Sequence, residues 1–203
     1  MLTSEQIKNN KERFIEILQT INRPGSDIKA LINKLECSDF FVAPASTQYH
    51  CGYQGGLCEH SLNVYDQLVM LVKNNNVENI TMESIAIVAL LHDFSKMNFY
   101  EIAERNVKDE NGNWTKVPYI KVRDAKDRFV YSTHGANSEY MVGRFIPLSI
   151  DESVAIINHM GGMDAGSVSN FDGGLSQIYN KYPLAILLHC ADMLATFYTE
   201  RIV

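Results

Sequence analysis

His92 and Asp93 stand side by side at the end of the apolar run Ile85–Leu91. A histidine beside a carboxylate where a buried helix ends is costly to desolvate unless something takes up their lone pairs, and a divalent metal ion does that well. Four more donors of the same kind, His60, His134, His159 and Asp192, lie on either side of the pair. The order His…His-Asp…His…His…Asp supplies nitrogen and oxygen ligands and no obligatory sulfur. Such a set suits one or two divalent ions (Mn, Fe, Co, Ni, Zn or Mg) that activate a water against a phosphorus centre. Asp93, directly after a ligand histidine, is the expected bridge between two ions about 3.5–4 Å apart. Lys96 follows roughly one turn later, within reach of a non-bridging phosphate oxygen. Asp93 and Lys96 are therefore the expected catalytic residues, and whether His134 and His159 also bind decides between one metal and two. His50 and Arg105 are expected at the substrate, and His189 behind the ligands or in the core.

Helices must position these groups, because helical periodicity dominates the chain. Residues 4–22 place Ile7, Phe14, Ile17, Leu18 and Ile21 at three- and four-residue steps, an amphipathic helix that Pro24-Gly25 ends. A second helix covers 27–36, and a third runs from Leu57 to about Lys73 with His60 one turn in. Thr81 reads as an N-cap for the helix that delivers His92 and Asp93, which is apolar nearly all round and so belongs at the centre. Ser149-Ile-Asp-Glu152 is a capping box for a helix ending near His159, and Pro183 suits the first turn of a last helix carrying Asp192. Residues 98–133 break the pattern. Asp109–Trp114 carries a turn signal, while Val117–Val122 and Phe129–Tyr131 read as strands, giving a small β-hairpin insertion around 105–131. Either this basic hairpin is a solvated excursion, or it covers the metals and helps choose the substrate.

Composition narrows the partners. With 203 residues and 46% hydrophobic content, one domain with a substantial core is expected. No window approaches a membrane span, and the start of the chain does not read as a secretory signal, so a cytoplasmic protein is expected. A net charge of −6 disfavours stable binding to duplex DNA but leaves room for a nucleotide at a metal pair. The four cysteines show no Cys-x-x-Cys spacing, and reduced thiols are expected. A structural zinc on His50, Cys51, Cys58 and His60 is the rival metal reading. Its spacing matches no common zinc module, and it would remove His60 from the larger set.

The motifs Gly-Gly-Leu-Cys-Glu-His60-Ser-Leu, Leu-Leu-His92-Asp93-Phe-Ser-Lys and Leu-His-Cys-Ala-Asp192-Met-Leu resemble the HD-domain superfamily of metal-dependent phosphohydrolases, named for the adjacent His-Asp. The stretch Tyr49–His60, with Thr-His134-Gly and Asn-His159-Met-Gly-Gly, is most similar to the HD module of bacterial 3′-to-5′ exoribonucleases. Together these motifs cover about 50–195. The resemblance implies an all-α, HD-domain/phosphodiesterase-like bundle as one domain over 1–203. Helices at 1–45 would precede a metal-site core at 46–200 that carries the insertion at 98–133. It also implies His60, His92, Asp93 and Asp192 around a first metal, and Asp93, His134 and His159 around a second. Three departures matter: only about 45 helical residues precede the motifs, where those exoribonucleases carry an oligonucleotide-binding barrel; no Gly-Tyr-Pro motif is present; and Phe94-Ser95 replaces the usual Ile-Gly. The likeness is to small stand-alone members of bacteria and their prophages. The expected function is hydrolysis of a phosphomonoester or phosphodiester of a nucleotide or short oligonucleotide by a metal-activated hydroxide. The alternative is a metal-stabilised binding or regulatory domain with little turnover.

Overall fold

The computed structural model describes residues 1–47, 50–163 and 174–200; Tyr49 of the motif stretch lies outside them. Among the described residues the protein is mostly helical, with one two-stranded antiparallel sheet. The α-helices are α1 (Ser4–Gln19), α2 (Ile28–Glu36), α3 (Gly56–Asn74), α4 (Met82–Leu91), α5 (His134–Val142), α6 (Ile150–Ile157), α7 (Gly174–Lys181) and α8 (Pro183–Leu194). Strands β1 (Tyr100–Lys108) and β2 (Trp114–Val122) lie between α4 and α5. No helix is long and apolar enough to cross a membrane among the described residues.

Helix α4 is apolar all round because it separates two cores. Ala86, Ile87, Leu90 and Leu91 pack with Phe14 and Leu18 of α1 and Leu31 and Leu35 of α2. Ile85, Val88 and Ala89 pack on the other side with Ala155 and Ile156 of α6 and Leu184 and Leu188 of α8. Every residue from Ile85 to Leu91 is buried, and full burial of each large side chain stabilises by about 1.5–3 kcal/mol. The helix begins where Thr81 accepts a hydrogen bond from the Ser84 amide at 3.0 Å. It ends at His92, so the chain emerges from the middle of both cores at the His-Asp pair.

The local end signals hold at other helices too. Ser149 and Glu152 form a reciprocal capping box on α6, and Pro183 opens α8. Helix α1 stops at Gln19, earlier than the predicted residue 22. The next residues are diverted: the Asn22 amide donates to Glu83, and the Arg23 guanidinium donates to Glu83 and the buried Glu152.

The hairpin lies earlier than expected. Strand β1 pairs with β2 in the register Tyr100↔Val122 to Lys108↔Trp114, around a turn in which Asp109 Oδ1 accepts from the Asn111 and Asn113 amides. Residues 129–131, predicted as a strand, are not one. Phe129 and Tyr131 instead lay their rings beside Tyr140 of α5, so side-chain stacking takes the place of strand pairing. A two-stranded ribbon is marginal alone, and this one is anchored at its base. Tyr100 is buried there and donates its hydroxyl to the Ala45 carbonyl, and Arg123 donates from its amide to Phe99 and from Nε to the Tyr100 carbonyl.

Helix α5 is held against the end of α6 by a close backbone approach. A Cβ added at Gly135 would lie 2.3 Å from the Ile157 carbonyl oxygen. Gly135→Ala is expected to push α5 away and destabilise by about 1–3 kcal/mol, the usual cost of overpacking. Thermal denaturation checks this, and an unchanged Tm would show that the contact yields freely.

Candidate metal centre

The six predicted ligands converge on one buried point. His60 comes from the second turn of α3, His92 and Asp93 follow α4, His134 opens α5, His159 follows α6, and Asp192 lies in the last turn of α8. His60, His92, Asp93, His159 and Asp192 are buried.

Asp93 lies at the centre, and its two oxygens face different partners. Oδ2 is 3.5 Å from His92 Nε2, 3.7 Å from His60 Nε2 and 2.6 Å from Lys96 Nζ. Oδ1 meets His134 Nε2 and lies 3.6 Å from His159 Nε2. Asp192 Oδ1 is 3.3 Å from His60 Nε2, on the Oδ2 side.

Backbone carbonyls orient the imidazoles. His92 Nδ1 donates to the Ala89 carbonyl at 2.8 Å, and His159 Nδ1 donates to the Ile156 carbonyl at 2.7 Å. Because a carbonyl only accepts, each Nδ1 carries the proton and each Nε2 turns a lone pair inward. His60 Nδ1 is held by Glu200 at 2.9 Å, leaving its Nε2 3.3 Å from His92 Nε2. Two imidazole nitrogens at that separation repel unless a cation or a proton lies between them. His159 Nε2 is buried with no hydrogen-bond partner among the described residues. An orphaned buried lone pair is costly, and a metal ion satisfies it. The donor set thus fits a divalent ion chemically. His60, His92 and Asp93 form one group able to hold an ion, Asp93, His134 and His159 another, and His92, His159 and Asp192 a third.

The electrostatics describe a cluster that uses protons in place of metal charge. Burial pushes the His60 imidazole down, but hydrogen bonds to Asp192 and Glu200 outweigh it and lift its pKa to about 10. Burial lowers His92 to about 3 and also holds His134 below its ordinary value. Burial would raise the Asp93 carboxyl, yet Lys96, His92 and His134 keep it well below the carboxylate range. Burial opposes the charge on Lys96, and Asp93 restores it, so the ammonium persists.

A pH optimum of stability follows for the metal-free protein. His60, raised from 6.5 to about 10, contributes fully below pH 6.5 and loses that contribution as the pH rises through 10. His92, lowered from 6.5 to about 3, acts the opposite way: below pH 6.5 the unfolded chain takes up a proton that the folded chain refuses. Stability in chelator should therefore peak near pH 6.5 and decline on both sides, as read by denaturant titrations across the range. A monotonic rise from pH 6.5 to 10 would show that His60 is not protonated there.

Two supporting groups were not among the predicted ligands. After α8 the chain makes a π-helical turn, Ala195–Thr199, which brings Glu200 back onto His60 and the Asn63 amide. A carboxylate behind a ligand imidazole fixes its orientation and raises its basicity. Ser95, two residues after Asp93, places its hydroxyl 2.9 Å from His134 Nδ1, with Ser138 bonded behind it. His189 donates from Nδ1 to the His159 carbonyl, behind the ligand rather than in the centre.

The remaining assignments divide. His50 sits at the rim, its ring centroid 4.8 Å from that of His60. Its two nitrogens are buried without hydrogen-bond partners among the described residues, and burial lowers its pKa to about 4. Arg105 is not brought to the cluster: it is exposed in mid-hairpin with its guanidinium over the Tyr119 ring, because the strand carries it outward from the anchored base. The cysteine-containing zinc site does not form, since no cysteine belongs to a metal-competent group among the described residues. Cys51 contacts Tyr53 and Glu59, and burial pushes the Cys58 thiol up to about 12. No family model, curated protein or solved structure matches this chain.

Proposed function

We propose that this protein is a metal-dependent phosphohydrolase of the HD-domain type, acting on a phosphate ester of a nucleotide or short oligonucleotide. The observation that carries the reading is the division of Asp93, with Oδ2 turned to His60 and His92 and Oδ1 turned to His134 and His159. A carboxylate whose two oxygens face separate imidazole sets suits a bridge between two ions. One ion would be held by His60, His92, Asp93 and Asp192, the other by Asp93, His134 and His159. Bound there, divalent ions supply a water acidic enough to ionise near neutral pH and positive charge for phosphoryl oxygens. Resemblance to the HD superfamily through the same residues supports the assignment.

The chain's own groups prepare that site. Glu200 and the Ala89 and Ile156 carbonyls hold three imidazoles so that no reorientation is needed on loading. Lys96 remains a cation through its contact with Asp93 and is placed to donate to a phosphoryl oxygen as a second partner.

The test is release of phosphate and nucleoside from nucleotides, cyclic nucleotides and short RNAs with added Mn²⁺. Metal-dependent release from one class is expected. Silence from folded, metal-loaded protein across the panel would overturn the hydrolase reading and favour a metal-stabilised binding domain.

A further inference from the structure

Three exposed rings lie together beside the helix that delivers His134. Phe129, Tyr131 and Tyr140 are 39%, 64% and 41% exposed. Their planes are nearly parallel, at 10° for Phe129 and Tyr140, 27° for Tyr131 and Tyr140, and 25° for Phe129 and Tyr131. The centroid separations are 5.7, 4.9 and 6.5 Å in the same order. A column of stacked rings would put its outer pair at the sum of the other two separations. These three instead form a triangle, so no ring is sandwiched between the other two and each keeps part of its surface exposed.

The patch is fixed to the metal-site framework. Asn137 of α5 is buried and accepts hydrogen bonds at Oδ1 from the Tyr131 and Ser132 amides, at 3.1 and 2.7 Å. Thr133 then caps α5, and His134 follows. Tyr131 is three residues before His134. Tyr140 lies six residues after it, roughly 9 Å along the helix at 1.5 Å per residue. Residues 114–131 carry Lys116, Lys121, Arg123, Lys126 and Arg128 against Asp124 and Asp127 in a chain of net charge −6. Lys116 and Lys121 pair with Glu104 and Glu101 of β1, which leaves Arg123, Lys126 and Arg128 as the cations that lead into the rings. Arg128 stacks over the Phe99 ring at 4.8 Å and donates from Nε to the Arg123 carbonyl. Flat aromatic faces beside clustered cations are the means by which proteins hold single-stranded nucleic acid, bases on the rings and phosphates on the cations.

We infer that Phe129, Tyr131 and Tyr140 form a base-stacking platform for a single-stranded oligonucleotide whose backbone lies along Arg123, Lys126 and Arg128. This rests on the phosphohydrolase reading for its purpose and names the substrate class as an oligonucleotide rather than a mononucleotide. Its physical claim, binding, is independent of turnover.

The experiment measures binding without catalysis. The full chain in chelator is titrated into single-stranded RNA and DNA dodecamers carrying 2-aminopurine, at two salt concentrations. Quenching of 2-aminopurine, weaker at higher salt, is expected. Tyr131→Ala and Tyr140→Ala should each weaken binding about tenfold, Tyr131→Leu should behave like Tyr131→Ala, and Tyr131→Trp should restore affinity. Equal affinity for RNA and DNA assigns recognition to the bases and phosphates, whereas preference for RNA adds the ribose hydroxyl to the same platform. Absence of quenching, or wild-type affinity in Tyr131→Leu, overturns the platform. So does a dimer, seen by sedimentation, that Tyr131→Ala dissociates without loss of oligonucleotide affinity, since the rings would then face a second copy. Quenching by a protein that hydrolyses nothing supports the platform and refutes the hydrolase. Hydrolysis without quenching does the reverse.

Discussion

Asp93→Ala is expected to abolish turnover and strip the protein of metal while leaving it largely helical. Both proposed ion positions depend on this one side chain, through Oδ2 toward His60 and His92 and Oδ1 toward His134 and His159. Removing a partner behind a ligand costs about 10- to 100-fold in affinity or activity. A shared ligand should exceed that, so a fall in rate of at least about a thousandfold is expected. The substitution also strands Lys96, whose Nζ is 2.6 Å from Asp93 and whose side chain is only 12% exposed. Breaking a buried ion pair from one side costs about 3–5 kcal/mol, so the Tm should fall as well. Lys96→Met added to Asp93→Ala separates the two effects: stability should return while metal does not. Elemental analysis, circular dichroism and the phosphate-release assay read the three quantities. Full metal content and full rate in Asp93→Ala would remove the basis of the functional reading.

Local signals and burial patterns are legible in the sequence. Thr81, Ser149 and Pro183 act on amides and turns within a few residues, so their roles are visible in the sequence. The apolar run before His92 is legible because α4 is buried on every side. Strand β1 is not legible, for the opposite reason. Beyond Tyr100 its side chains are exposed or half-buried, so pairing rather than burial makes it a strand, and no hydrophobic alternation marks it. Phe129–Tyr131 misled because β-prone residues also serve as stacked rings. Among the site residues, the metal-competent side chains announce themselves by chemical type. Glu200 does not, since it meets His60 across 140 positions through a π-helical turn that only packing determines. Ser95 stood beside the motif, but its use as the partner of His134 Nδ1 depends on where α5 returns.

His134→Ala and His159→Ala should each lower the bound metal from two ions to one and reduce turnover at least about a hundredfold. The asymmetry of Asp93 is the reason. On the Oδ2 side His60, His92 and Asp192 remain in either variant, a set sufficient to hold one ion. On the Oδ1 side each substitution leaves Asp93 with a single histidine, too few ligands to retain the second. The two variants should differ in stability. In the metal-free protein His159 Nε2 makes no hydrogen bond among the described residues and meets Asp93 Oδ1 only at 3.6 Å, so its removal gives up a weaker contact than the loss of His134 does. His134 contacts both Asp93 and Ser95; its loss removes the imidazole from Asp93 Oδ1, while Ser95 keeps the residue-134 carbonyl and Ser138 as partners. In chelator, His134→Ala should therefore be the less stable of the two, while in Mn²⁺ both should lose the extra stabilisation that a second ion gives the wild type. Unchanged metal content and rate in both variants would make the centre mononuclear, with Asp93 binding through Oδ2 alone.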